Sequence, residues 1–205
     1  MALEFLVIVV SYLLGSVSFS VLLAKLLKGI DIRQFGSGNA GATNTLRVLG
    51  KGPAIIVLLL DVLKGIAAVW LGTWIGGWGT WVAVACGIAA IIGHNWPIYF
   101  HFRGGKGIAT TIGVMATLCF WPALSAGIIA ILCICITRYV SLGSLIFVLL
   151  TPVLLLLTDF TQPVLWSSII IAVFAFWRHR TNIVKIFEGR ENKIGSKAKG
   201  GNRVV

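Results

Sequence analysis

Apolar runs long enough to cross a bilayer divide this chain, and they leave few folds open to it. The first extends over about residues 5–27. At about 1.5 Å per residue, a helix of that length crosses a roughly 30 Å hydrocarbon core. Its Gly15 and nearby serines form a small-residue face suited to close helix packing. A second run starts at Pro53, a good first-turn residue, and reaches about Ile75; a third covers about residues 80–99. The run from Ile108 to Ile136 is too long for one comfortable span, and Trp121-Pro122 divides it. Proline breaks a helix and disfavours helical geometry in the residue before it. Two short spans are therefore expected, about 106–120 and 122–136, against the alternative of one kinked helix. A sixth span covers about 141–157, and a seventh follows the turn at 159–163 and ends at Trp177.

The charges test this layout. With seven spans and the N-terminus outside, the loop 25–51, the loop at Arg103 and Lys106, Arg138 and the tail all lie on the cytoplasmic side. These hold 16 of the 17 Lys and Arg, and the outside turns hold none. That is the positive-inside pattern; a six-span chain would put Arg138 and the tail on the opposite face from the first two loops. The expectation is an all-α polytopic membrane protein with seven transmembrane helices, its N-terminus outside and its C-terminus cytoplasmic. One bundle, 1–183, would be followed by a basic tail, 184–205. The chain is 11% charged, where a soluble domain carries about 25%, which excludes an ordinary soluble fold. The net charge of +11 suits this topology and an anionic substrate, and no nucleic-acid partner is expected. The first run carries Glu4, lacks a basic leader and is too long for a signal peptide.

The polar residues collect in four clusters, all on the cytoplasmic side of this layout. The first is Gly36-Ser37-Gly38-Asn39-Ala40-Gly41-Ala42-Thr43-Asn44-Thr45-Leu46-Arg47, read as an anion-binding loop. Its glycines free the backbone, Ser, Thr and Asn supply hydrogen bonds, and Arg47 can fork onto a phosphate. The second is Gly104-Gly105-Lys106-Gly107, ahead of a helix whose N-terminus favours negative charge. It lacks the spacing of a nucleotide-binding P-loop. The third surrounds Arg138 and Ser141; the fourth holds Arg178, His179 and Asn182. His179 and Asn182 are three apart and share a helix face. Asp61 and Lys64, also three apart, interrupt the second span as either a structural ion pair or a support for the site. The histidines lack zinc-type pairing, so no metal is expected, and Cys86, Cys119, Cys133 and Cys135 read as small hydrophobes.

At these residues the chain resembles a known family. Gly36 to Arg47 is similar to the GSGNxGAxNxxR motif of the bacterial acyl-phosphate:glycerol-3-phosphate acyltransferases, the PlsY family. The resemblance continues through Asp61-Val-Leu-Lys-Gly65, Gly93-His-Asn-Trp-Pro97, Phe102-Arg-Gly-Gly-Lys-Gly107, Tyr139-Val-Ser-Leu142 and Arg178-His-Arg-Thr-Asn-Ile183. Arg103 stands where Lys is more usual; the charge is kept. The resemblance implies a seven-helix inner-membrane enzyme with a site facing the cytoplasm. It would move a fatty acyl group from acyl phosphate to the sn-1 hydroxyl of glycerol 3-phosphate, giving lysophosphatidic acid and phosphate, the first step of phospholipid synthesis. No metal or nucleotide cofactor is implied. The partners implied are the two substrates, membrane lipid and a functional link to the enzyme that forms acyl phosphate. By position, His179, Lys106 and Asn182 would be catalytic. Ser37, Arg47, Gly38, Asn39, Thr43, Asn44, Gly104, Gly105 and Ser141 would bind substrate.

Two other classes compete. An anion transporter would place ionic residues on several helices near the bilayer midplane and show inverted repeats. Here Asp61 and Lys64 are nearly alone there, and no repeat is visible. A metal-dependent alcohol phosphotransferase needs clustered carboxylates, and the chain has six acids in all.

Overall fold

The computed structural model describes residues 1–195, and every regular element among them is helical. The part of the expected tail beyond 195 lies outside the described residues. The α-helices are α1 (Ala2–Gly15), α2 (Phe19–Lys28), α3 (Ala42–Leu49), α4 (Lys51–Gly76), α5 (Trp81–Asn95), α6 (Ile108–Leu118), α7 (Phe120–Thr137), α8 (Val140–Leu155), α9 (Gln162–Arg178) and α10 (Arg180–Phe187). Among the described residues, four helical segments are long and apolar enough to cross a membrane: Ala2–Lys28, Lys51–Gly76, Trp81–Phe100 and Phe120–Thr137. Helices α6, α8 and α9 are apolar but shorter. Large apolar side chains such as Leu59, Trp74, Leu132 and Leu157 are exposed on the outside of the bundle. That suits a hydrocarbon surround and would be a liability in water.

Three boundaries differ from the sequence reading. The first apolar run is not one helix: it breaks at Ser16-Val17-Ser18, where no proline or glycine forces a break. The freed carbonyl of Val17 accepts a hydrogen bond from Lys64 Nζ at 2.9 Å. The break before α7 falls at Cys119 rather than at Trp121-Pro122, with Cys119 in a non-helical conformation. Proline is tolerated in a helix's first turn, where its missing N–H is not needed, so Pro122 sits inside α7 and the chain turns ahead of it. The first polar cluster is half helix: Gly41 precedes α3, which carries Thr43, Asn44 and Arg47.

Glycines set the closest helix contacts. A Cβ on Gly15 would run into Ala90 of α5, and one on Gly113 would run into the Val62 carbonyl of α4. At these crossings backbone meets backbone, as small residues in membrane helices allow. The main apolar core includes Val114, Met115, Phe147, Val148 and Ile171, from α6, α8 and α9. A smaller core of Val21, Ala24, Ile32 and Ala40 sits under the Gly36–Arg47 segment and ties it to α2. The expected boundary at 183 falls within α10, after which residues 191–194 fold back toward Ser141, Arg47 and Arg138.

Candidate active site

Asn44 builds the first wall of the site. It is fully buried, and its amide is spent on its own segment. Nδ2 donates to the carbonyls of Ile32 (3.1 Å) and Phe35 (3.0 Å), and Oδ1 accepts from the Ser37 N–H (2.8 Å). This fixes a tight turn in which Gly36 and Gly38 have φ of +61° and +73°, conformations that favour glycine. A side chain at Gly36 would also collide with Asn44 Oδ1. Ser37, Gly38, Asn39 and Thr43 are left facing the cleft, with Arg47 one turn of α3 beyond Thr43.

The second wall is the segment 102–107. Asp31 and Arg33 pair at 2.7 Å, and Arg33 Nη1 donates to the carbonyls of Phe100 and Arg103. The two glycine-rich segments are thereby tied together. The Gly105 N–H donates to the His94 carbonyl (3.1 Å), and the Gly105 carbonyl accepts from Arg178 Nη2 (2.5 Å). Arg178 also lies over the Trp96 ring, 5.2 Å from its centroid. Gly105 therefore sits behind the cleft wall as a strut, and a side chain there would strike the His94 ring. Gly104 and Lys106 face the cleft.

His94 belongs to a buried cluster. Lys64 Nζ lies 2.7 Å from Asp61 Oδ1 and 3.0 Å from His94 Nδ1. With the bond from Lys64 to Val17, this cluster links the α1–α2 break, α4, α5 and the Gly105 strut. The Asp61–Lys64 pair forms as a buried ion pair, and through His94 it is connected to the backbone of Gly105.

The third wall is the junction of α9 and α10. His179 is 3% exposed, and its Nδ1 lies 2.8 Å from the Ala175 carbonyl. A carbonyl only accepts, so this contact places the ring proton on Nδ1 and leaves the Nε2 lone pair free. Burial, and next the Lys106 charge, push the imidazole down to about 4, so it is neutral at physiological pH. Lys106 Nζ donates to Asn182 Oδ1, and Asn182 Nδ2 donates to Glu191 Oε1 at 2.7 Å. Ser141 Oγ donates to the same Glu191 oxygen at 2.8 Å. Burial brings Lys106 down to about 8; Glu191 opposes the fall, while Arg178, Arg47 and Lys185 add to it.

The three walls enclose one cleft of about 840 Å³. Of the residues singled out in the sequence, Ser37, Gly38, Asn39, Thr43, Asn44, Arg47, Gly104, Lys106, Ser141, His179 and Asn182 meet there; Gly105 does not. Arg178, Lys185 and Glu191 also line it and were not singled out as site residues. Arg178 was visible as part of a basic cluster. Nothing in the local sequence marks Glu191, an acid in a basic tail. The mouth thus sets Arg47, Lys106, Arg178 and Lys185 against the Glu191 carboxylate. Away from the mouth the lining turns apolar, with Ile108, Ile112 and Ala116 of α6 facing Ala123, Ile131 and Ile134 of α7. Among the described residues, no group of three or more His, Cys, Asp or Glu could hold a metal ion.

The comparisons with known proteins agree. The glycerol-3-phosphate acyltransferase family model matches residues 5–189. A glycerol-3-phosphate acyltransferase of Halalkalibacterium halodurans is 58% identical over 202 residues, covering 96% of this chain and 98% of the relative. One from Shouchella clausii is 59% identical over 191 residues, covering 91% and 93%. The crystal structure of PlsY, an integral membrane glycerol 3-phosphate acyltransferase, in its glycerol 3-phosphate form superposes with a TM-score of 0.89. It is 37% identical, with 94% of this chain and 96% of that one covered. Its lysophosphatidic acid form gives 0.87 at 36% identity, with 95% and 97% covered. With the family model spanning nearly the whole chain and close relatives matched end to end, the chain belongs to the glycerol-3-phosphate acyltransferase family.

Proposed function

We propose that the chain transfers a fatty acyl group from acyl phosphate to the sn-1 hydroxyl of glycerol 3-phosphate, releasing lysophosphatidic acid and phosphate as the first step of phospholipid synthesis. One observation carries this reading: a single cleft joins a basic mouth to an apolar passage between α6 and α7. An anionic head with a long alkyl tail fits both halves at once. The PlsY structures named for glycerol 3-phosphate and lysophosphatidic acid support the acceptor and the product.

The donor is already activated, because phosphate leaves readily, so the enzyme's task is positioning and charge stabilisation. Arg47, Ser37 and the Gly38–Thr43 backbone hold the glycerol phosphate. Lys106 and the Gly104 backbone hold the acyl phosphate, with Ser141 beside them anchoring Glu191 at the edge of the site. The hydroxyl oxygen attacks the acyl carbonyl, the new ester C–O bond forms, and the bond from the carbonyl carbon to the phosphate oxygen breaks. Lys106 stabilises the charge that gathers on the departing phosphate. The hydroxyl proton is accepted by His179 Nε2. An imidazolium with a pKa of about 4 is a strong acid, so it passes the proton to the departing phosphate, which is a far stronger base.

The seven-span reading extends naturally to the observed helices: α1–α2 and α4 to α9 would cross the bacterial inner membrane. The N-terminus is then outside and the cleft faces the cytoplasm, where 16 of the 17 Lys and Arg lie. The bundle 1–183 is the acyltransferase domain, and the tail begins as the outer edge of its cleft. A cytoplasmic opening also suits a functional link to the enzyme that supplies acyl phosphate. The test is reconstitution of the purified protein with palmitoyl phosphate and glycerol 3-phosphate, following both phosphate and lysophosphatidic acid. The expected result is equal amounts of the two. Product from acyl-CoA in a parallel assay would overturn the donor, and no product from either would overturn the reaction.

A further inference from the structure

Gly127 lies in the middle of α7, where glycine costs a helix about 1 kcal/mol relative to alanine. The other glycines inside the apolar helices, first-turn Gly52 aside, have a packing reason: an added Cβ would press into a neighbour. At Gly127 an added Cβ meets nothing within 4 Å. The empty space is not the outer surface alone, because Gly127 lines the apolar part of the cleft. It lies between Ala123 and Ile131 on the α7 wall, opposite the α6 wall that carries Ile112 and Ala116. Helix packing does not account for this glycine, whereas an elongated ligand in the passage does.

We propose that Gly127 sets the length of acyl chain the enzyme accepts, its missing side chain keeping the passage open for the distal half of a long chain. This rests on the acyl-transfer reading above. The occupant is the alkyl tail of the donor, because the passage is continuous with the basic mouth that would hold its phosphate. From the cytoplasmic end of α7 at Thr137, ten residues of helix place Gly127 about 15 Å deep. An octanoyl chain starting at the mouth ends short of that depth, and a palmitoyl chain passes it. A side chain at 127 would block the long chain and spare the short one.

The experiment compares octanoyl and palmitoyl phosphate as donors for the wild type, Gly127→Leu and, from the facing wall, Ala116→Leu. In Gly127→Leu, kcat/KM for palmitoyl phosphate should fall about 10- to 200-fold relative to octanoyl phosphate. The KM for glycerol 3-phosphate should stay unchanged. Ala116→Leu should move the ratio in the same direction and decides the matter if Gly127→Leu does not fold. An unchanged ratio, or an equal loss on both donors, overturns the length-setting role while leaving acyl transfer standing. Failure of the wild type to use either donor overturns acyl transfer itself.

Discussion

The side-chain amide of Asn182 donates to the Glu191 carboxylate across 2.7 Å, while its oxygen faces Lys106. Asn182 therefore has one fixed orientation, with its acceptor end toward the cation and its donor end toward the anion. Ser141 closes the chain from the other side, donating to the same carboxylate oxygen at 2.8 Å. Three groups, from α8, α10 and, through Asn182, the 102–107 segment, are thus held by Glu191 of the returning tail, a residue that belongs to no obvious motif.

Removing that carboxylate should cost both stability and activity. Glu191→Ala leaves the Asn182 amide and the Ser141 hydroxyl without their partner and frees the tail from the cleft. An unmet polar group of this kind costs about 1–3 kcal/mol. The melting temperature in detergent should fall, and turnover should fall with it. A melting temperature equal to wild type would show that Glu191 is a bystander.

Glu191→Gln isolates the charge, since the shape is kept. In the proposed reaction Lys106 must be protonated to hold phosphate, so activity belongs to the low-pH side of its titration. With Lys106 at about 8 in the free protein, kcat/KM should decline as pH rises through that value. Glu191 raises the Lys106 pKa, so neutralising it should move the decline to lower pH. Lys106→Arg, which stays charged to about pH 12, should abolish the decline at some cost in rate. A pH profile identical in wild type and Glu191→Gln would separate the limb from Lys106.

His179 makes the opposite prediction at the acid end. Its imidazole is pushed down to about 4, so it remains neutral and able to accept a proton well below pH 6. No acid limb near the ordinary histidine value of about 6.5 should come from this residue. His179→Gln should lower kcat by about 10²-fold or more. Survival within a few-fold would mean that a substrate phosphate takes the proton directly.

The sequence carried the helical class and the first two polar clusters well, for a physical reason. Apolar length and glycine-rich breaks are local properties, and membrane insertion leaves them little latitude. What it hid is tertiary. The Ser16–Ser18 break has no breaker residue; its freed Val17 carbonyl serves Lys64, 47 residues away. Pro122 signalled an interruption but not its position, because proline fits the first turn it begins. Asn44 looked like a ligand in a ligand-binding motif, yet its amide is spent on backbone of its own segment. Glu191 became meaningful only once the tail was seen to return.

The helix crossings should be as intolerant as their geometry says. Gly113 of α6 faces the Val62 carbonyl of α4, and Gly65 of α4 faces the Thr110 carbonyl of α6. A side chain on either must push two backbones apart. Gly113→Val should destabilise by about 1–3 kcal/mol, read as a lower melting temperature in detergent. Gly127→Ala, at a site with open space, should lose nothing and gain up to about 1 kcal/mol from helix propensity, and it serves as the control. Equal losses at both positions would mean that a cause other than the crossing sets the cost.

The Asp61–Lys64–His94 cluster separates stability from positioning. Asp61→Asn leaves the Lys64 ammonium buried without its 2.7 Å counter-ion, a loss of about 3–5 kcal/mol. Replacing both, as Asp61→Leu with Lys64→Met, removes the stranded charge and should recover most of that stability. It should not recover the site. His94 would lose its Lys64 contact, and the His94 carbonyl is what holds the Gly105 N–H behind Lys106. The double variant should therefore melt near the wild type yet show a raised KM for acyl phosphate, with the KM for glycerol 3-phosphate less affected. Wild-type kinetics in the double variant would reduce the cluster to a structural ion pair. A double variant no more stable than Asp61→Asn would mean that the cluster's bond to Val17, and not its charge balance, holds the bundle.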